Sequence, residues 1–79
     1  MTQTISQQKK ALKKLMGKLV IAAIVKGTLK VNVLGVLWIA AWKGKPFIVF
    51  DRESGESFVS FTINDVLEID EQTQTITLC

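Results

Sequence analysis

The sequence predicts a mainly β fold, an N-terminal α-helix followed by a strongly bent, five-stranded antiparallel small barrel. Three observations predict it. One amphipathic stretch, "TISQQKKALKKLMGK", opens the chain and ends at Gly17. Beyond it, β-branched and aromatic residues run in short blocks separated by glycine-bearing or charged turns. Finally, Gly35 interrupts a long uncharged run, Val31 to Trp42, where a strand would have to bend to turn a barrel corner.

Each element has a local reason. Thr4 followed by Gln7 has the spacing of a capping box, and Ile5, Leu12, Leu15 and Met16 recur at helical intervals, so a helix is expected over about residues 5–16. Strands are expected over about residues 19–70. The first runs from Leu19 to Val25, turns at Lys26-Gly27, and is followed by a long strand from Thr28 to about Ala41. "WKGK" is a tight loop into "PFIVFD", with Pro46 at a strand start, where a missing donor is harmless. "RESGE" reads as a solvated turn, "SFVSFTI" alternates with period two, and Asn64-Asp65 briefly breaks the chain before "VLEID". "TITL", residues 75–78, is an extra terminal strand. Nothing in the chain suggests a boundary, so residues 1–79 form one domain.

A chain of 79 residues buries only about 60 to 65% of the surface its unfolded form exposes. Yet 48% of its residues are hydrophobic, more than so small a globule can hide. A membrane could cover the excess, but a spanning helix needs about 20 apolar residues. The two uncharged runs, Leu19 to Val25 and Val31 to Trp42, are shorter and bounded by lysine. A secretory leader is disfavoured as well, because no cleavage site follows a clean apolar stretch. The expectation is a soluble, cytoplasmic chain that covers its apolar surface by self-association. With one cysteine, Cys79, an internal disulfide is impossible.

Charge is segregated. Residues 1–50 hold nine lysines and no acid, whereas residues 51–79 hold seven acids and Arg52, giving +9 and −6. Such a split suits either an anionic ligand or front-to-back packing of copies. Without His or Tyr, and with the acids gathered mainly in turns, no nucleophile–base pair or metal cluster emerges. Neither an enzyme nor a cofactor is expected.

Two groups of residues are candidates for binding. In "AWKGKPF", Trp42 can stack a base while Lys43 and Lys45 meet phosphates, which suits single-stranded nucleic acid. The competing reading of the aromatics is packing, preferred here for Trp38 and Phe47. On the helix, Lys9, Lys13, Lys10 and Lys14 form a basic polar face, and their place toward its C-terminal half also suits the helix dipole.

The order of elements, together with "GVL" at Gly35 to Leu37 and "NDVLEID" from Asn64 to Asp70, resembles the Sm-like proteins, the family that includes LSm proteins and bacterial Hfq. The resemblance covers roughly Ser6 to Asp70. It implies an SH3-like Sm barrel, and a homo-oligomeric ring of about five to seven copies closed by pairing the fourth strand of one copy with the fifth of the next. It also implies RNA binding at pore-side loops, adding Thr62 and Asn64, before the final family strand, to Trp42, Lys43 and Lys45. The chain departs from the family at Ala41 and Lys45, where an aspartate and an asparagine are usual, and at Thr62 and Ile63, where arginine and glycine are usual. Those departures keep a second class in view: a structural ring that binds a protein partner and no RNA.

Overall fold

The computed structural model describes residues 3–79, apart from the side chains of Ala41 and Trp42. Helix α1 (Ile5–Leu15) starts with the expected capping box: Gln7 N donates to Thr4 Oγ1 at 3.1 Å and Thr4 N donates to Gln7 Oε1 at 3.0 Å. Its exit is fixed by Gly17, at φ +78°, whose N–H donates to the carbonyl of Leu37 at 2.7 Å. The buried face is Gln8, Ala11, Leu12 and Leu15, spaced i, i+3, i+4, i+7. Ile5, expected on that face, is 56% exposed, and the polar Gln8 takes the buried position at the first turns.

Six strands follow: β1 (Leu19–Lys26), β2 (Leu29–Trp42), β3 (Lys45–Phe50), β4 (Ser57–Phe61), β5 (Val66–Asp70) and β6 (Thr75–Leu78). A 3-10 turn, Ile63–Asp65, joins β4 to β5. The strand order is β4-β3-β2-β1-β6-β5. This corrects the five-stranded antiparallel barrel in two respects. The terminal strand is a full member of the sheet, lying parallel to β1 with Ile21 beside Thr75 and Ile24 beside Leu78. It enters between β1 and β5 because its alternation offers Ile76 and Leu78, both essentially fully buried, to the core. The sheet is also open, since β4 and β5 are its two edges and carry no ladder between them.

Open does not mean flat. Laid flat, the two edges would stand five strand spacings apart, roughly 24 Å. Only Thr62–Asp65 separates Phe61 from Val66, a reach of at most about 17 Å and less in a 3-10 turn. The sheet must therefore curl until its edges approach. Inside the curl, Leu12 and Leu15 meet Val20, Leu37, Val49, Phe61, Ile69 and Ile76 in one cluster.

Gly35 is where the curl turns. Residues 29–36 of β2 pair with β1, and residues 36–42 pair with β3. A Cβ on Gly35 would lie 2.7 Å from the carbonyl oxygen of Phe50 and 2.8 Å from Val49 Cγ1, so no side chain fits beneath the crossing β3–β4 hairpin. The β3–β4 turn is built by Asp51, whose carboxylate accepts from Glu53 N and Ser54 Oγ, both at 3.0 Å.

Because β2 is apolar on alternate residues of both faces, the outer face of the sheet is apolar too. Register puts Leu19 opposite Val36, Leu34 opposite Ile21, and Trp38 opposite Ile48 on that face. Leu19, Leu34 and Trp38 are more than half exposed. Trp38 was expected in the core; it lies outside instead, against Gly17, where a Cβ would come within 3.4 Å of its ring.

Gly35→Ala is expected to lower stability by about 2–3 kcal/mol in a urea or guanidinium melt, through overpacking against backbone. Gly27→Ala, at φ +60° with nothing within 4 Å of the new Cβ, should lose only about 1 kcal/mol from backbone strain. Equal losses at the two positions would show that the close approach at Gly35 is unimportant.

Candidate nucleic-acid interface

The sequence-predicted residues are spread over several places: Lys9 and Lys13 line one groove, Lys10 and Lys14 a second depression, and Lys45 a separate cavity. The β2–β3 hairpin closes through Lys43 and Gly44, both left-handed at φ +41° and +68°, between the paired Trp42 and Lys45. Two consecutive positive φ values make the tight primed turn that a right-twisted hairpin favours, and glycine relieves half of its strain. Lys43 and Lys45 are exposed on it. The Trp42 side chain lies outside the described residues.

Immediately after Lys45 the chain passes under the helix. Pro46, Phe47, Met16 and Ile63 form the floor of an open groove of about 500 Å³, and Lys9 and Lys13 rim it. The groove is shaped by three elements. Phe47 is held by stacking on Phe61, with centroids 5.5 Å apart and planes 24° apart. Ile63 is presented by the 3-10 turn, and Met16 by the helix exit. Apolar floor and ammonium rim together match the two parts of a nucleotide, a flat base and a charged phosphate.

The helix lysines are divided by the packing. Lys9 and Lys13 belong to this groove, while Lys10 and Lys14 turn toward β5 and line a second depression with Gln3, Gln7, Glu68 and Glu71. Lys14 Nζ lies 3.7 Å from Glu71 Oε1, both side chains well exposed. Part of the segregated charge is thus matched within one copy, at little gain in stability. Lys45 is also divided from its neighbours: it opens onto another cavity, of about 400 Å³, between β4 and the end of β6, where Lys26 and Asp65 join it.

Thr62 and Asn64 flank or form the 3-10 turn, with different surroundings. Thr62 is engaged locally, its N–H donating to Asp65 Oδ2 at 3.0 Å and its hydroxyl lying 3.4 Å from the same oxygen. That contact builds the turn. Asn64 is exposed at its centre. Sequence reasoning passed over the groove floor, Met16, Pro46 and Ile63, and also Lys26. The signal for the first was present, since Lys9, Lys13 and Met16 are spaced i, i+4, i+7 and therefore share a helix stripe.

Among the described residues no group of three or more His, Cys, Asp or Glu converges as a metal site would, and no helix is long and apolar enough to cross a membrane. No family model matches the chain, and neither a curated protein nor a solved structure matches it.

Removing the Asp65 carboxylate should loosen the turn that carries Ile63 and Asn64. Asp65→Ala is expected to lower the denaturation midpoint by an amount worth about 1 kcal/mol with no change of slope. An unchanged midpoint would mean that the Thr62–Asp65 contacts do not hold the turn.

Proposed function

We propose that the protein is a ring-forming, Sm-like module that binds single-stranded RNA across the groove between α1 and the start of β3. The observation that carries the reading is the position of Lys9 and Lys13 over an apolar floor that includes Phe47; Lys43 and Lys45 directly precede that floor in sequence, with Lys45 on the neighbouring cavity. Bases would lie against Phe47, Pro46 and Ile63, and phosphates along the lysines. Asn64 is the exposed polar group nearest in sequence to Ile63, and Trp42 would add a stacking surface. In this reading the curled six-stranded sheet is a half-open version of the Sm-like barrel, in the cytoplasm. Its edges β4 and β5 are the strands that neighbouring copies would pair, closing a ring of about five to seven. Repetition around the ring would multiply a weak site.

A second reading rests on a separate observation, the exposed outer-face side chains Leu19, Leu34 and Trp38. Large apolar side chains exposed on one face suit a protein contact, so the alternative is a structural ring that engages a protein partner without RNA.

The two readings separate by fluorescence anisotropy with a labelled single-stranded oligoribonucleotide at low salt. The wild-type chain should bind, and Lys9→Ala with Lys13→Ala should weaken binding about tenfold or more. The slope of log affinity against log salt should fall by roughly 1.4, at about 0.7 for each lost phosphate contact. Lys10→Ala with Lys14→Ala should change affinity much less. No binding by the wild-type chain at about 50 mM salt would remove the RNA reading and leave the structural one.

A further inference from the structure

The two edges of the sheet are treated differently by the rest of the chain. On β5, the N–H and C=O of Ile69 both meet one side chain: Gln3 Nε2 donates to Ile69 O at 2.9 Å, and Ile69 N donates to Gln3 Oε1 at 2.8 Å. A carboxamide presents its donor and acceptor much as a peptide group does, so Gln3 takes both bonds that an added strand would make at this residue. Nearer the start of β5, Gln8, a buried polar residue of α1, places its Nε2 3.5 Å from the carbonyl of Val66. The strand also carries Glu68 and Asp70, charges of the kind that discourage edge pairing. On β4 none of this is found. Ser57–Phe61 is uncharged, and among the described residues no side-chain hydrogen bond reaches its backbone.

We propose that Gln3 is a displaceable plug on a strand-accepting edge. The segment before α1 holds β5 closed within a single copy, and strand addition at β5 expels the Gln3 carboxamide. The incoming strand is the uncharged β4 of a second copy, an assignment that rests on the ring reading above. Assembly at Ile69 is then a competition between the Gln3 carboxamide of the same molecule and a strand from another, with the start of β5 still held by Gln8, and whatever withdraws Gln3 promotes it.

The test is light scattering or sedimentation velocity over a range of concentrations on the full chain, with Gln3→Ala and Gln3→Glu as variants. Gln3→Glu keeps the size of the side chain but loses the donor and brings a carboxylate to the Ile69 carbonyl. Both variants should assemble at a concentration about tenfold lower than wild type, and Ile69 amide exchange should be faster in their dilute, unassembled form. A lowered melting temperature with an unchanged assembly midpoint would make Gln3 a structural tie only and overturn the plug while leaving the ring. Wild type and variants that all stay monomeric would overturn plug and ring together, without touching RNA binding, which anisotropy measures separately. Assembly indifferent to Gln3 but abolished by Leu34→Lys would assign the contact to the outer apolar face and also overturn the plug.

Discussion

The contact on which the rest of this structure depends is the approach of the Phe50 carbonyl to Gly35. At that point β2 leaves β1 and takes β3 as its partner, so one strand serves two halves of the sheet. The change of partner turns the sheet on itself and puts Leu37 and Val49 on the inside of the curve. It also lets a short turn carry the chain from β4 to β5, at opposite edges of the strand order. A Cβ at residue 35 would push the crossing hairpin outward, and the loss would be felt in the core, the turn and the groove together.

Curling has a second effect, on charge. It brings the helix across the open end, where one side of it meets β5 and the other meets the start of β3. Four lysines that share a polar surface on an isolated helix therefore acquire two environments. Lys10 and Lys14 sit among Glu68 and Glu71, so their field is partly cancelled within the copy. Lys9 and Lys13 keep theirs, over an aromatic floor. Which lysines keep an unmatched field follows from which residue spacing faces which neighbour.

Much of the fold is legible because its signals are local. The capping box, the glycine after the helix, the two tight hairpins and the period-two strands each depend on residues a few positions apart. Thr75–Leu78 is legible as a strand for the same reason, but its neighbour is not. Parallel pairing of Ile76 beside Ala22 is a long-range choice, decided by which gap in the core lacked two apolar side chains. Trp38 misleads because size suggests burial, whereas parity along β2 sends it outward with Leu34. The site divides similarly. Lys43 and Lys45 are visible from loop chemistry, and Thr62 and Asn64 only through the family resemblance; the groove shared by Lys9, Lys13 and Phe47 appears once the helix is laid on the sheet, and Thr62 looks available until Asp65 is seen beside it.

The parallel pairing of β1 with β6 also sets the order in which the molecule can form. The β1–β2–β3–β4 meander needs only neighbouring strands, and it can assemble as soon as those residues exist. Its hydrophobic interior, however, lacks Ile76 and Leu78 until residues 75–78 arrive beside residues 21–24, so loop closure across most of the chain precedes the final packing. Until residues 75–78 dock, the meander is partly open, with apolar strand faces uncovered. Packing of the meander is thus coupled to the docking of β6, and a chain whose β6 is undocked exposes apolar surface of the kind that favours misassembly.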